Sequence, residues 1–257
     1  MKNSLSGFLL AGQFFSAVPI KKQLDMNAKS VTWMYGFLPI VGLLIGSIIS
    51  SGVFILSRYS EVSELLLAIL IVIGLIVLTG GLHLDGWIDM SDAFFSYGEK
   101  EKRLEILDDP RTGAFGVLSV FGLLVLKIGV IYEMLTYGQL AIVPYLIFIP
   151  FIARMGMLLY FVTMQPAKEK GLAAYFKGVV IRNKLVFLIV FQSILAFVSW
   201  FYIGAFSLFI LVVVMMVAVV FYRNWSRKHF GGVTGDLLGA LGEGLEVVLW
   251  LTILLCI

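Results

Sequence analysis

The sequence predicts an all-α, polytopic integral membrane protein: a bundle of about seven transmembrane helices preceded by an N-terminal interfacial or re-entrant helix. Three observations carry that prediction. The 257 residues are 60% hydrophobic and only 14% charged, with a mean hydropathy of +1.01, which leaves too little polar surface for a soluble domain of this length. Apolar runs of spanning length recur along the chain. The basic residues gather in alternate segments between those runs, the signature of a defined membrane orientation.

In order, residues 4–18 ("SLSGFLLAGQFFSAV") form an apolar stretch too short to span a bilayer as a helix. Pro19, Lys21 and Lys22 follow it in place of a small-x-small cleavage site, so it reads as an interfacial or re-entrant helix and not as a signal peptide. Seven spans are expected near 32–57, 62–82, 115–135, 140–163, 184–203, 204–222 and 237–257, the fifth and sixth separated by a tight turn near Gly204. Gly42, Gly46 and Ser50 place a small-residue stripe on the first span, suited to close helix packing. Cys256, the single cysteine, reads as a packing residue of the last span. The chain is read as one integral membrane domain over 1–257.

Segments 1–31, 83–114, 164–184 and 223–236 hold 16 of the 19 Lys and Arg residues. This asymmetry puts them in the cytoplasm, with the C-terminus outside. Of the 16 acidic residues, all but Glu61, Glu64 and Glu133 fall on or near that same side. Carriers distribute polar groups through the bilayer; an enzyme acting on a cytoplasmic substrate concentrates them on one face. A cation-coupled transporter is therefore the weaker alternative, and no inverted repeat supports it. No basic stripe with interleaved aromatics points to nucleic acid.

The second span ends in "TGGLHLDGWIDMSDAFFS" (79–96). On a helix Asp85, Asp89 and Asp92 project within an arc of roughly 60°. Carboxylates so placed repel one another unless a cation lies between them, and all-oxygen donors favour Mg²⁺ or Mn²⁺ over zinc. Gly86 permits close approach of a ligand or another backbone. These three aspartates are the candidate catalytic and metal-binding residues. His83 joins them as a catalytic candidate, although a packing histidine at a span end is the simpler reading.

A second acidic group lies in "FGGVTGDLLGALGEGLEV" (230–247), where Asp236 and Glu243 are seven apart and nearly eclipsed on a helix. Both are candidate metal ligands. The glycines crowding this stretch cost helix stability, so close approach of a helix or of a phosphate is expected there. Between the two groups, "EKRLEILDDPRTGAFG" (101–116) contains a turn at Asp108-Asp109-Pro110 followed by Arg111. Arg103, Arg111, Arg154 and Arg223 are candidates for binding an anionic substrate, since guanidinium forks match phosphate oxygens.

Together these features point to phosphoryl or phosphodiester chemistry, in which a metal held by carboxylates neutralises a diphosphate. G-x-x-x-x-G-K-S/T, H-E-x-x-H and G-x-S-x-G are absent, which argues against P-loop NTPases, zinc proteases and serine hydrolases.

The motifs "GGLHLDGWIDMSDAFFS", "RLEILDDPRTGAFGV" and "GGVTGDLLGALGEGLEV", with "FFSAVPI" and "FLPIVGLLIG" nearer the N-terminus, resemble the cobalamin synthase family, the adenosylcobinamide-GDP ribazoletransferases. Three separated motifs in order make the resemblance specific, and it extends over essentially the whole chain. It implies a Mg²⁺-dependent enzyme of the bacterial or archaeal cytoplasmic (inner) membrane, working on the cytoplasmic face. It also implies the reaction: adenosylcobinamide-GDP and α-ribazole, or its 5′-phosphate, give adenosylcobalamin, or its 5′-phosphate, and GMP. Other corrinoid-assembly enzymes are candidate partners beside the lipid bilayer. The first motif is also similar to the D-x-x-D-G helix of CDP-alcohol phosphotransferases. Its spacing, Asp85-x-x-x-Asp89-x-x-Asp92 with no following Ala-Arg pair, departs from theirs, so lipid synthesis stands as the alternative enzyme reading.

Overall fold

Apolar periodicity and chain punctuation divide the protein into twelve described helices, seen in a computed structural model that describes residues 2–96, 98–203 and 206–256. They are α1 (Lys2–Phe15), α2 (Ala28–Gly36), α3 (Leu38–Tyr59), α4 (Glu64–Thr79), α5 (Leu82–Phe95), α6 (Lys100–Ile106), α7 (Ala114–Thr136), α8 (Val143–Thr163), α9 (Leu172–Val179), α10 (Arg182–Ile203), α11 (Phe206–His229) and α12 (Gly235–Cys256). Helices α3, α7, α8, α11 and α12 are long and apolar enough to cross a membrane alone. Counting each of two bent pairs, α4 with α5 and α9 with α10, as one span brings the number to seven. The protein is thus a multi-pass helical membrane bundle.

Two expected boundaries shift for identifiable reasons. The first span begins at Leu38 and not near residue 32, because the chain breaks at Phe37 and Pro39 occupies the opening turn of α3. The second stops at Thr79, where Gly80 and Gly81 both take positive φ (69° and 73°). Only glycine adopts two such successive angles without a Cβ penalty. The chain turns by 93° there, so α5 lies across one end of the bundle beside the starts of α7 and α12. The α9–α10 junction bends by 92°, with Val180 in an extended conformation at the end of α9. The N-terminal helix runs Lys2–Phe15 and packs on α2. The turn expected near Gly204 lies outside the described residues. Cys256 is exposed instead of packed, because it sits on the last, outward-facing turn of α12.

Helices α8 and α12 form the centre: 78% and 72% of their apolar windows are buried, against 22–33% for α3, α7 and α11. The small-residue stripe of α3 is what lets α8 reach that position. A Cβ at Gly42 would lie 2.5 Å from the Pro150 carbonyl oxygen, one at Gly46 would run into the Leu146 carbonyl, and Ser50 Oγ donates to the Val143 carbonyl at 3.2 Å. Pro150 lacks the N–H that would bond Leu146 within the helix, so this seam covers backbone that α8 leaves unpaired.

Candidate active site

Small residues bring the two acidic motifs together. Gly86 of α5 faces the backbone of Asp236 so closely that a Cβ on it would lie 2.5 Å from the Asp236 carbonyl oxygen. Gly239, Gly242 and Gly244 continue the contact along α12, against His83, Met157 with His83, and Trp87. Three of the six glycines in residues 231–244, Gly239, Gly242 and Gly244, therefore serve helix–helix approach. The start of α12 is fixed from several sides: Leu237 N–H donates to Thr234 Oγ1 at 3.1 Å, Tyr222 donates to the Leu237 carbonyl at 2.8 Å, and Ser226 Oγ donates to the Gly232 carbonyl at 2.7 Å.

As a result Asp85, Asp89 and Asp236 share one face. Asp85 is exposed; Asp89 and Asp236 are half-buried. Among the described residues none of the three is in a salt bridge, the nearest cationic influence on Asp236 being Lys168, whose Nζ lies 2.7 Å from Asp108 Oδ2. Burial, and after it the charges of Asp85, Asp236 and Asp92, push Asp89 up to about 6. Carboxylate oxygens outside any salt bridge, on a partly buried face, are the donor chemistry that a hard divalent cation requires, and in residue type these three fit it. Among the described residues no group of three His, Cys, Asp or Glu side chains is gathered closely enough to hold a metal ion as it stands.

Asp92 and Glu243, expected among the metal ligands, are engaged elsewhere. Asp92 is buried and reaches across to α7, where its Oδ2 accepts from Gly113 N–H at 2.7 Å and its Oδ1 from Gly116 N–H at 2.8 Å. It caps a helix N-terminus, whose free N–H groups and positive dipole end favour a carboxylate. Gly113 and Gly116 are required for this: a Cβ at Gly113 would lie 2.5 Å from Asp92 Oδ1, and one at Gly116 would collide with Oδ2. Asp92→Ala is expected to lower stability by about 1–3 kcal/mol through two lost charge-assisted bonds. Thermal melting of the solubilised protein measures that loss, and an unchanged Mg²⁺ half-saturation in turnover would separate the cap from a ligand.

Glu243 belongs to a buried ionic cluster inside the bundle. Lys127 Nζ of α7 lies 3.0 Å from Glu243 Oε2 and 2.6 Å from Glu246 Oε2, and Arg154 Nη1 of α8 lies 3.1 Å from Glu246 Oε1. Arg154 is 1% exposed and also donates to the Pro150 carbonyl at 3.1 Å, so it is a strut of the core and not a surface anion binder. His83 points inward too, 3% exposed, within the electrostatic reach of Arg154, Glu246 and Lys127. It faces away from the acidic surface on which a base would act.

The other arginines stay near the charged face. Arg111 is exposed and forks onto Asp109, with Nε at 2.9 Å and Nη2 at 2.6 Å; these bonds hold Asp109 at about 2. Arg103 Nη1 contacts His229 Nδ1 at 2.6 Å, and its guanidinium stacks 5.1 Å from the centre of the Phe94 ring. Arg223 is half-buried on α11, one turn before its basic end. Sequence reasoning did not single out Lys127 or Lys168 for the site. A lysine within an apolar span is a signal for the first, since ionisable groups at that depth seek partners. Nothing local distinguishes Lys168 from its neighbours.

The cobalamin-5-phosphate synthase family model matches residues 7–254. An adenosylcobinamide-GDP ribazoletransferase of Geobacillus sp. (strain WCH70) is 40% identical over 252 residues, covering 97% of this chain and 95% of the relative. The enzyme of that name from Geobacillus kaustophilus (strain HTA426) is 37% identical over 257 residues, with the same coverages. The one from Clostridioides difficile (strain 630) is 33% identical over 266 residues, covering 97% of each. No solved structure matches the chain. With its acidic motifs joined on one face and this similarity running almost end to end, the chain belongs to the cobalamin-5-phosphate synthase family.

Proposed function

We propose that the protein is an adenosylcobinamide-GDP ribazoletransferase that works on the cytoplasmic face of the cell membrane. It joins the adenosylcobinamide phosphate of adenosylcobinamide-GDP to α-ribazole, or to α-ribazole 5′-phosphate, and releases GMP. The observation that carries the reading is the contact of Gly86 with Asp236, which sets Asp85, Asp89 and Asp236 on one charged surface of a membrane bundle; membership of the family names the reaction.

Asp85, Asp89 and Asp236 would hold Mg²⁺. Bound there, it supplies charge neutralisation on a diphosphate. The chain's own part is positioning. Helices α5 and α12 hold the carboxylates at the membrane boundary, where an amphiphilic corrinoid can keep its apolar part near lipid. Arg111, on the loop that leads into α7, is placed to meet a phosphate oxygen by exchanging Asp109 for it. The acceptor hydroxyl attacks the phosphorus that stays with the corrinoid, the bond from that phosphorus to the GMP oxygen breaks, GMP leaves, and the hydroxyl proton passes to solvent.

The deciding experiment is turnover by purified protein in lipid, supplied with adenosylcobinamide-GDP, α-ribazole and Mg²⁺, with EDTA as control. Metal-dependent appearance of GMP and corrinoid product is expected. Folded protein that yields neither, and that instead consumes CDP-activated lipids, would move the chain to the CDP-alcohol phosphotransferase reading. In the same assay Arg111→Ala is expected to raise KM for adenosylcobinamide-GDP several-fold with kcat little changed; an unchanged KM would remove Arg111 from the anion site.

A further inference from the structure

A cavity on the charged side has the opposite electrostatic character to the acidic face. It encloses about 200 Å³ where the end of α8 meets the bent α9–α10 junction, and Thr163, Gln165, Lys177 and Arg182 line it together with Phe161 and Leu185. Lys177 Nζ donates to the Val162 carbonyl at 3.2 Å and stands 4.8 Å over the Phe161 ring, which is itself stacked on Tyr35 with centroids 4.0 Å apart. Its ammonium is thus held in place at the wall. Arg182, the first residue of α10, is exposed at the rim. No acidic residue lines the cavity, and among the described residues neither cation is in a salt bridge. Burial, with the Arg182 charge second, brings Lys177 down to about 8, as expected of two cations facing a cavity without a counter-ion.

The cavity is joined to the acidic face by backbone. Gln165, one of its lining residues, accepts through its carbonyl from Val233 N–H at 2.9 Å, and Ala167 N–H donates to the Val233 carbonyl at 3.0 Å. This short parallel bridge between Pro166 and Val233 leads in three residues to Asp236. The cationic cavity and the carboxylate face therefore flank one backbone seam. A donor diphosphate belongs with the carboxylates and their cation, so the cationic cavity suits a phosphate that takes no part in bond breaking. The family description itself specifies a product that carries a 5-phosphate.

We propose that the Lys177–Arg182 cavity is the subsite for the phosphate monoester of the acceptor, so that it selects α-ribazole 5′-phosphate over α-ribazole. The proposal rests on the ribazoletransferase reading. The same chemistry would also attract the phosphate of an anionic lipid headgroup, and the test separates the two sources.

Wild-type protein, Arg182→Gln and Lys177→Met are reconstituted in phosphatidylcholine vesicles and in vesicles containing phosphatidylglycerol. KM is then measured for each acceptor at saturating adenosylcobinamide-GDP. Arg182→Gln, at an exposed position that does not endanger folding, is expected to raise KM for α-ribazole 5′-phosphate about tenfold, in both lipids, and to move KM for α-ribazole less than twofold. Lys177→Met is expected to do the same. Equal effects on both acceptors, or no effect, would overturn the subsite. So would a change seen only in phosphatidylglycerol and shared by both acceptors, which would make the cavity a lipid site. Failure of the wild-type protein to use either acceptor would instead overturn the parent reading, and this proposal with it.

Discussion

Asp89→Asn is expected to leave the protein inserted and folded while lowering transfer by at least about a hundredfold. The substitution removes one charge at nearly constant volume from the middle of the Asp85–Asp89–Asp236 face. Asp89 is half-buried and is pushed up to about 6 by burial and by its acidic neighbours, so removing its charge relieves repulsion and does not cost a bond; stability is expected to hold or rise. What is lost is the field that binds a divalent cation and, through it, a diphosphate, and losses of one such electrostatic element run to about 10²–10³-fold. Initial rates across a Mg²⁺ titration, beside a thermal melt, check both halves. Wild-type rates at ordinary Mg²⁺ would end the assignment of this face as the metal site.

Lys127→Met is expected to be the most damaging single change to the fold, at about 3–5 kcal/mol. Lys127 is 2% exposed and touches both Glu243 and Glu246 at 3.0 and 2.6 Å. Without it two carboxylates remain inside an apolar bundle with only Arg154, itself bonded to Glu246 at 3.1 Å, to answer them. Stranding a buried charge costs far more than the pair contributes when intact. Lys127→Arg, which keeps the charge, is expected to recover much of the loss. Melting temperature in detergent and yield of monodisperse protein report the effect; a Lys127→Met protein that melts like wild type would show that water reaches the cluster.

The fold class was legible because the bilayer imposes it: long apolar runs and one-sided Lys and Arg have few other solutions. The site was legible as far as α5, where helical spacing placed Asp85 and Asp89 together and Gly86 announced a close approach. It was not legible where partners are chosen across the fold. Asp92 has the same spacing as its neighbours, but its direction is set by Gly113 and Gly116, 21 and 24 residues away. Glu243 looks like a companion of Asp236 along the helix axis, yet two turns deeper it meets Lys127 from another span. Arg154 was grouped with surface arginines by residue type, although its place within the expected 140–163 span was a signal of the burial that makes it structural. The bend after Thr79 was hidden for a different reason, since a Gly-Gly pair within an apolar run is also common where helices simply pack.

That bend has a consequence for how the protein sits in its membrane. Helix α4 contains 16 residues, about 24 Å of rise, while the hydrocarbon layer is about 30 Å thick. Lipid beside α4 thins to meet it, or the bundle tilts, at a cost of a fraction of a kcal/mol per ångström of mismatch. Either way the acidic surface of α5 is expected to lie closer to the hydrocarbon layer than the ends of the longer spans. Acyl-chain length is thereby expected to bear on activity, short-chain bilayers matching α4 better than thick ones.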